Sequence, residues 1–396
     1  MSAPSGPAIG IDARAAADEG AGRGRVVREL LRVLAGGGGS ARFVLYGRRP
    51  WDGVELDGRF SWRLHGGGDP VWHLRTARAA NRECDVFLAT NSYVTPLFLR
   101  IPTVTVVMDL VTFEPSMRPN RRSMLIERAT LGRAVKRSAR MLAISQATAD
   151  ALIARFPRAA GKTVVAPLGV ATGLAPAHGD SSAPSPEHGD PSAPAPAYGR
   201  ATPPATALPA PGFVLAVGTL EPRKNLPRLV AAYSSLEEAL QERHPLVVVG
   251  RVGWQTGETL AALRSLGTRC IALGYVPDEA LGELYRRCAV FCYPSLGEGF
   301  GLPVLEAMAA GAAVVTSNLS SLPEVGGNAV EYVDPTSVPS IAGGLRRVLQ
   351  DEGRRRELSE LGRARAAGFS WQRFADTVLG TLSAAAAEGR PRRLTN

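Results

Sequence analysis

The sequence predicts an α/β protein built from two tandem, doubly wound domains. The chain has 396 residues, which at roughly 100–200 residues per domain indicates two domains or three. Each half of the chain alternates short β-rich runs with helical patterns, which is typical of a parallel sheet with crossover helices. Between the halves, the stretch 171–211 contains almost no large apolar residues. These observations predict one Rossmann-like domain on each side of a linker.

The predicted strands are short runs of β-branched and other apolar residues. In the N-terminal half they fall at 8–11, 43–45, 86–88, 103–107, 141–144 and, more weakly, 164–167. In the C-terminal half they fall at 213–217, 246–249, 270–273, 290–293 and 313–316. Helical patterns between them cover 24–34, 226–239, 278–288 and 340–349. Doubly wound sheets bind ligands at the carboxyl ends of their strands, and with two such domains the expected site is the cleft between them.

The stretch 171–211 consists mainly of Ala, Pro, Gly and Ser, and it repeats with a period of ten residues at 175–184 and 185–194. A chain of this composition buries too little apolar surface to offset the entropy that it loses on ordering. We therefore predict a disordered linker or an expanded loop here, with domains at 1–170 and 212–370.

Composition and charge exclude several classes of protein. Hydrophobic residues make up 45% and charged residues 21%, as in globular proteins, and no apolar run approaches the roughly 20 residues of a membrane span. The first residues lack the charged and apolar regions of a secretory signal, and four cysteines form no disulfide framework, so we expect a cytoplasmic protein. The net charge of +10 favours an anionic partner such as phosphate or a lipid surface. With aromatic residues at 6% and no recognisable binding module, we expect no nucleic-acid partner.

The most informative segment, 293–311, begins at the end of an apolar strand and has the sequence YPSLGEGFGLPVLEAMAAG. Its three loop glycines, ending with Gly301, let the backbone approach a ligand closely, and the helix that follows turns its free N–H groups toward the strand ends. Two carboxylates, Glu298 and Glu306, accompany this anion-binding loop, which fits a ligand that also has hydroxyl groups to donate. The alternative is an ordinary glycine-rich turn with two solvated glutamates.

A second segment, 217–226, has the sequence VGTLEPRKNL and follows another strand. After Gly218, a short loop presents Arg223 and Lys224 at the carboxyl end of the strand, where two cations can neutralise a diphosphate. Lys224 is one of only three lysines, which indicates that a particular ammonium group is needed there. The alternative is a basic turn paired with Glu221.

Together with a weaker glycine-containing segment at 18–28, which includes Gly22, these segments resemble the retaining, nucleotide-sugar-dependent glycosyltransferases of family 4, which have the GT-B fold. The spacing E-x7-E from Glu298 to Glu306 is characteristic of that family. The resemblance covers nearly the whole chain outside the linker and is strongest at 213–374. Several members with these motifs transfer mannose or related hexoses.

The resemblance implies a role for each matching residue. Arg223 and Lys224 would bind the donor diphosphate and stabilise the leaving group, and Glu298 would hold the donor sugar. Glu306 would accept hydrogen bonds from the ribose, and the backbone of Val276 would contact the base. The residues implied in donor binding are Gly22, Gly218, Val276, Phe300, Gly301, Leu302 and Glu306. A final helix within 371–396 would cross back to the N-terminal domain, followed by a basic tail.

The resemblance implies transfer of a hexose from a GDP- or UDP-linked sugar to a hydroxyl acceptor. Breaking the anomeric C–O bond develops negative charge on the β-phosphate, which Arg, Lys and a helix N-terminus would stabilise. No D-x-D motif occurs in the chain, so we expect no metal at the diphosphate and no cofactor. The resemblance implies retention by front-face attack, in which the leaving phosphate oxygen accepts the proton of the acceptor. The acceptor would be a glycan, a glycolipid or a small molecule.

One position departs from the family pattern. The family has a His-Asp pair after the fourth N-terminal strand, whereas this chain has Met108 followed by Asp109. None of its histidines stands in a matching context, and His65, His73 and His244 are predicted to be peripheral. Met108 and Asp109 are therefore candidates for the donor-sugar or acceptor side. Loss of the histidine implies weaker activity, a different donor or a non-catalytic homologue.

The segment from Arg118 to Arg140 contains eight basic residues and one acid, with Met124, Leu125 and Leu131 among the apolar positions that roughly share a face. A basic amphipathic helix can lie on an anionic membrane, which would place the protein peripherally on the inner face of the membrane and suit a lipid-linked acceptor. The alternative is a solvated helix with an ordinary apolar stripe that faces the core.

Two other functions stay open for the chain as a whole. A nucleotide-sugar epimerase or hydrolase on the same scaffold would need no glycosyl acceptor. A degenerate subunit would bind a sugar nucleotide or a glycan without catalysis; Met108 favours this alternative, whereas intact Glu298, Arg223 and Lys224 count against it.

Overall fold

The structure, a computed structural model, describes residues 6–17, 22–90, 92–113, 121–170 and 208–389. The chain divides into two compact units, Met1–Gly169 with Phe369–Asn396 and Val170–Gly368. Of the predicted linker at 171–211, only 208–211 falls within the described residues.

The first unit is built on a sheet of parallel strands. These are β1 (Ala8–Asp12), β2 (Arg42–Gly47), β3 (Phe60–Leu64), β4 (Val86–Ala89), β5 (Thr103–Val107), β6 (Arg140–Ala143) and β7 (Thr163–Val165). Among the described residues the order across the sheet is β3-β2-β1-β4-β5-β6-β7, with every neighbouring pair parallel. The central strands β1, β4 and β5 are buried along their whole length because helices cover both faces of such a sheet.

Four helices connect these strands. They are α1 (Arg23–Gly36), α2 (Asp69–Glu83), α3 (Arg121–Arg137) and α4 (Gln146–Arg155). On α1 the residues Val27, Leu30, Leu31 and Leu34 recur at helical spacing and are buried, so the helix packs through one apolar face. α4 begins after Ser145, whose hydroxyl accepts a hydrogen bond from the backbone N–H of Thr148 at 3.0 Å.

The second unit repeats this plan. Its strands are β8 (Val214–Val217), β9 (Leu246–Val249), β10 (Cys270–Gly274), β11 (Val290–Tyr293), β12 (Val314–Ser317) and β13 (Glu331–Val333). Its helices are α5 (Leu226–Ser234), α6 (Glu238–Arg243), α7 (Gly257–Ser265), α8 (Asp278–Arg287), α9 (Leu302–Ala310), α10 (Leu322–Gly326), α11 (Val338–Gln350) and α12 (Glu352–Ala366). The described strands pair in parallel in the order β10-β9-β8-β11-β12-β13.

The last helix, α13 (Trp371–Gly389), belongs to the first unit. It packs against α1 and against β4 and β5. Its residues Phe374, Val378 and Leu382, spaced four apart, are each 1% exposed and form the face that meets the sheet. Within the described part of the chain, no helix combines the length and the apolarity that crossing a membrane requires.

The predicted α/β architecture with two parallel sheets is confirmed, and every predicted strand is present. Two edge strands, β3 and β13, were not predicted. β3 is half-exposed and β13 has only three residues, so neither gives a continuous apolar run. The single helix predicted at 226–239 is wrong, because α5 ends at Ser234 and α6 starts at Glu238. The hydroxyl of Ser235 donates to the carbonyl of Ala232 at 2.8 Å, a local bond that competes with continuation of the helix.

In both sheets the strand order reverses beside the first strand of the unit. The reversal lies between β1 and β4 in the first unit and between β8 and β11 in the second. At such a reversal the loops that follow the two neighbouring strands lead away to opposite faces of the sheet, which leaves a crevice at the carboxyl ends of the strands. Each unit therefore has one expected ligand position.

Candidate functional site

The loops that follow β8 and β11 meet where the strand order of the second sheet reverses. β8 leads into a single helical turn that contains Arg223 and Lys224. β11 ends at Tyr293 and leads into the loop that contains Glu298. Because β8 and β11 are hydrogen-bonded neighbours, these two predicted segments lie side by side, although about 70 residues separate them.

The carboxylate of Glu298 is the centre of this cluster. Lys224 Nζ donates a hydrogen bond to Glu298 Oε1 at 2.7 Å, and Arg223 Nη1 donates to Oε2. The hydroxyl groups of Tyr293 and Ser295 also donate to Oε1, at 2.8 and 2.7 Å. Only 8% of the Glu298 side chain is exposed. Two cations and two hydroxyl groups therefore share one buried carboxylate.

The charges in the cluster fix the protonation states. Burial by itself raises the pKa of Glu298, but the positive charges of Lys224 and Arg223 outweigh burial and lower the pKa to about 2. Burial lowers the pKa of Lys224 from its usual value, and Glu298 opposes this shift. Burial and the charge of Glu298 together raise the pKa of Tyr293 well above its usual value. At neutral pH Glu298 is therefore ionised and the Tyr293 hydroxyl keeps its proton.

Arg223 is oriented by a second carboxylate. Its Nε and Nη2 atoms donate to Glu221 Oε1 at 3.0 and 2.6 Å, and Nη1 donates to the carbonyl of Gly297 at 3.0 Å. Trp254 Nε1 donates to the other oxygen of Glu221 at 3.1 Å. The predicted pairing of the basic turn with Glu221 is thus present, in addition to the contact with Glu298.

The motifs do not predict Tyr293, Ser295 or Trp254 as members of the cluster. For Tyr293 and Ser295 a signal was available, since they stand at the end of β11 directly before the glycine-containing loop. For Trp254 there was none, because it lies in the loop after β9 and reaches Glu221 only through the fold.

Two of the predicted glycines have backbone angles that favour glycine. Gly218 has φ 142°, and a Cβ there would lie 3.1 Å from Lys224 Cε. Gly301 has φ 107°, and a Cβ there would lie 2.7 Å from Leu322 Cδ2. Residues with a side chain rarely adopt such φ values, so both positions favour glycine on conformational as well as steric grounds.

The helix that follows the glycine-containing loop starts as predicted. α9 begins at Leu302, with Pro303 in its first turn, where a missing N–H has no cost. The loop before it is held by Ser321, whose hydroxyl donates to the carbonyls of Glu298 at 3.0 Å and Phe300 at 2.8 Å. The first N–H groups and the positive end of the helix dipole therefore stand at the strand ends.

Glu306 and Val276 are buried. Glu306 is 2% exposed, and the hydroxyl of Tyr285 donates to its Oε2 at 3.3 Å. Val276, in the loop between β10 and α8, is 7% exposed. The ribose contact of Glu306 and the base contact of Val276 stay predictions.

Gly22, Met108 and Asp109 lie in the first unit. Gly22 precedes α1 with φ 80°. Met108, directly after β5, is 7% exposed. Burial lowers the pKa of Arg23, but the charges of nearby groups, Asp109 among them, raise it overall, so Arg23 and Asp109 are neighbours.

The prediction that three histidines are peripheral is wrong for two of them, His73 in the first unit and His244 in the second. His73 and His244 are not peripheral, since they are 4% and 7% exposed. His73 shares the buried face of α2 with Thr76, Ala77 and Ala80 at helical spacing, and its Nδ1 forms a hydrogen bond with Thr95 Oγ1 at 2.7 Å.

The predicted basic segment contains α3. Met124 and Leu131 are 8% and 0% exposed, but Leu125 is 62% exposed, so it does not share their face as predicted. Leu125 follows Met124 directly, and consecutive residues point about 100° apart on a helix. Contact of this helix with a membrane stays a prediction.

Comparison with known proteins finds similarity to glycosyltransferases. Residues 204–365 match the family model described as Glycosyl transferases group 1. The chain is 45% identical over 164 residues to O-antigen chain mannosyltransferase B of Escherichia coli, which covers 41% of this chain and 43% of that protein. The chain thus spans less than half the length of this curated relative. All three residues of the ion cluster, Arg223, Lys224 and Glu298, lie in the matched range.

The solved structures that resemble this chain extend over both units. Sucrose-phosphate synthase from Thermosynechococcus elongatus has a TM-score of 0.72 at 20% identity and covers 96% of this chain and 100% of its own. Anabaena HepE in complex with UDP-glucose has a TM-score of 0.69 at 16% identity, and the match covers 96% of this chain and 100% of that structure's chain. At these identities the likeness shows the fold, and the predicted GT-B architecture is confirmed.

Among the described residues, no three His, Cys, Asp or Glu side chains come together in an arrangement that could hold a metal ion. The cations at the candidate site are Arg223 and Lys224. Binding of a diphosphate without a metal stays a prediction.

Proposed function

We propose that this protein is a glycosyltransferase that moves a hexose, with mannose as the first candidate, from a nucleoside-diphosphate sugar to a hydroxyl acceptor with retention. The observation that supports it most is the pairing of Arg223 and Lys224 with the single buried carboxylate of Glu298 at the strand ends of the second unit. The family match includes all three residues, and the printed name of the Escherichia coli relative specifies mannose.

In the proposed reaction the donor diphosphate takes the place of Glu298 as the partner of Arg223 and Lys224. Glu298 then accepts hydrogen bonds from sugar hydroxyl groups, for which its low pKa keeps it ionised. As the anomeric C–O bond breaks, negative charge accumulates on the β-phosphate oxygen. The planar fork of Arg223 and the ammonium of Lys224 stabilise this charge more in the transition state than in the ground state.

Glu221 and Trp254 have a positioning role in this proposal. Glu221 Oε1 accepts two hydrogen bonds from the Arg223 guanidinium, and Trp254 donates to the other oxygen of Glu221. Nη1 of Arg223 therefore stays directed at the Glu298 position. A preorganised donor loses little conformational entropy when the substrate arrives. The new C–O bond forms on the face that the diphosphate leaves, and the leaving phosphate oxygen accepts the proton of the acceptor hydroxyl.

Met108 bears on how active the enzyme is. A thioether sulfur is a poor hydrogen-bond acceptor and no donor, so Met108 cannot replace a histidine that contacts the donor sugar. We propose that the site compensates with a donor sugar that does not need that contact, or that turnover is lower than in relatives with the histidine.

The experiment is a binding and transfer assay on the full chain. Thermal unfolding is followed with GDP, UDP, GDP-mannose and UDP-glucose, because a ligand that binds only the folded state raises the melting temperature. We expect one nucleotide and one matching sugar nucleotide to stabilise the protein. We expect Arg223→Gln to abolish this effect. The matched control Arg346→Gln, which removes an arginine that donates to Glu237 at 2.9 Å on the helical surface, should leave it intact.

Product analysis then separates the candidate reactions. A glycosyltransferase consumes the donor sugar only as an acceptor is glycosylated, and NMR of the product gives the anomeric configuration. Conversion of the sugar nucleotide without an acceptor would indicate an epimerase or a hydrolase. No stabilisation by any nucleotide, in a protein that unfolds cooperatively, would contradict the proposal.

A further inference from the structure

The first unit contains a cavity of about 650 Å³ at the carboxyl ends of its strands. Residues that follow three strands line it: Arg14 after β1, Arg48 and Arg49 after β2, and Tyr93 after β4. The cavity therefore stands where the order of the first sheet reverses, the expected ligand position of a doubly wound domain. Its volume lies within the range of about 300–1,000 Å³ that is common for small-molecule sites.

The cavity wall is rich in arginine. Four arginines line it, and the acidic residues in the described part of its lining are Asp69 and Glu127. Arg14 is already neutralised, because its Nε and Nη2 donate to the fully buried carboxylate of Asp12 at 3.0 and 2.9 Å. The guanidinium of Arg14 also stacks over Trp72, with 3.7 Å between Cζ and the ring centroid. Arg14 is therefore held in place, and its positive charge is already balanced by Asp12.

Unlike Arg14, the other arginines in the described lining have no buried carboxylate within hydrogen-bond distance. Arg48 Nη1 donates to the carbonyl of Gly67 at 2.5 Å, and its Nη2 donates to Asp69, whose side chain is 75% exposed. Arg49 Nη2 donates to the carbonyl of Ala17 at 2.5 Å, which leaves its charge without a carboxylate among the described residues that line the cavity.

The third of these arginines, Arg23, is also weakly paired. Among the described residues its ion-pair partner is Glu127, whose Oε1 lies 3.9 Å from Nη2. That oxygen is buried and has no hydrogen-bond partner in the described structure. Burial raises the pKa of Glu127, the positive charge of Arg23 lowers it, and the negative charge of Asp109 raises it further. Because the net shift is upward, the charged form of Glu127 is disfavoured. The lining thus has an excess of one to two positive charges, and a phosphate monoester, with about −1.5 to −2 charges at pH 7, would balance it.

We propose that this cavity binds a phosphate group that the acceptor carries, with Arg48 and Arg49 as its main ligands. Calling the ligand the acceptor rests on the proposed function, whereas the anion site itself does not. Two adjacent planar guanidinium groups match the oxygens of a phosphate through paired N–H donors. The acceptor is therefore a phosphorylated sugar or polyol, or a glycolipid whose phosphate enters the cavity.

The test measures phosphate binding on the full chain. The double variant Arg48→Gln/Arg49→Gln removes both proposed ligands. The matched control is Arg63→Gln, because Arg63 is 47% exposed against 43% for Arg48 and likewise forms an ion pair, Nε to Glu83 Oε2 at 3.1 Å. Calorimetric titrations use mannose 6-phosphate, mannose, GDP and UDP, and competition with inorganic phosphate reports on the phosphate group alone.

We expect mannose 6-phosphate to bind more tightly than mannose, with affinity reduced about tenfold or more in the double variant and unchanged in the control. If the phosphate comes from a lipid, phosphatidylcholine vesicles that contain phosphatidic acid should bind instead, with the same dependence on the two arginines. Equal binding of all phosphate probes to the wild type and the double variant would overturn the proposal. A loss of GDP affinity in the double variant would overturn it as well, because the arginines would then contact the donor.

GDP also separates this inference from the proposed function. If neither GDP nor UDP binds the wild type but phosphate binding depends on Arg48 and Arg49, the anion site stands and the glycosyltransferase proposal fails. If GDP binds and phosphate binding does not depend on these arginines, the present inference alone fails.

Discussion

Replacing Lys224 by methionine is the sharpest test of the ion cluster in the second unit. Lys224 is 11% exposed, and its Nζ contacts Glu298 Oε1 at 2.7 Å and the hydroxyl of Tyr293. Methionine has a similar length and fills the space beside Gly218 without the charge. The substitution therefore removes one cation from Glu298 and leaves Arg223, Tyr293 and Ser295 in place as donors to it.

The expected loss of stability follows from what remains. Removing one partner of a buried ion pair costs about 3–5 kcal/mol when the other charge is left alone. Here Arg223, which Glu298 shares with Glu221, and two hydroxyl groups still donate to Glu298, so we expect a smaller loss, about 2 kcal/mol in the free energy of unfolding. Turnover should fall further, because removing one electrostatic donor to a developing oxyanion lowers kcat by about 10²–10³.

The matched control is Lys162→Met in the first unit. Lys162 also has a pKa lowered by burial, and its Nζ donates to the carbonyls of Val135 and of Ser138, the latter at 2.9 Å. Its loss should lower stability by about 1–3 kcal/mol with kcat unchanged. Urea unfolding measures the stability, and the rate of transfer from the donor sugar that binds measures kcat. Equal kcat in Lys224→Met and wild type, in a folded protein, would refute the diphosphate role of Lys224.

Two further predictions concern the two glutamates. Glu306→Gln keeps the hydrogen bond from Tyr285 but removes the charge. We therefore expect nucleotide affinity, measured by calorimetry, to fall about tenfold while the melting temperature changes little. A fall in melting temperature with unchanged affinity would indicate a structural role. The folded pKa of Glu298, about 2, lies below the ordinary 4.5, so the stability that its ionised form provides is present above pH 4.5 and is lost as the pH falls through the folded pKa. This contribution is at most about 3 kcal/mol, and Glu298→Gln should flatten the decline of unfolding free energy in that pH window; an equally steep decline in the variant would count against the ionised cluster.

The fold was predictable because its signals are local and periodic. β8, β9 and β11 are continuous apolar runs, so each strand is visible without knowledge of its neighbours. β13 was not predictable, because three residues at a sheet edge give too little pattern. The break between α5 and α6 was not predictable either, and a local hydrogen bond of the Ser235 hydroxyl accompanies it.

The candidate site was predictable only in its motif residues. Arg223, Lys224 and Glu298 stand in loops whose composition already indicates anion binding, and parallel pairing of their strands brings them together. Trp254 joins the cluster through Glu221 across a loop with no signal of its own, since its place depends on the path of the chain after β9. Side chains that orient a charged residue need only reach it, so no spacing rule marks them in the sequence.

The same reasoning explains why the two units differ in how much the sequence reveals. The family match at 204–365 falls entirely within the second unit, whose proposed ligand, a nucleoside diphosphate, imposes the same chemistry on any protein that binds it. Arg48 and Arg49 of the first unit stand at the end of a strand without a motif, in a chain where all but three of 46 basic residues are arginine. Arginine content therefore cannot single them out. Only the cavity at the reversal of the first sheet selects them, because they line it together with Arg23 and with a carboxylate, Glu127, that burial disfavours in its charged form.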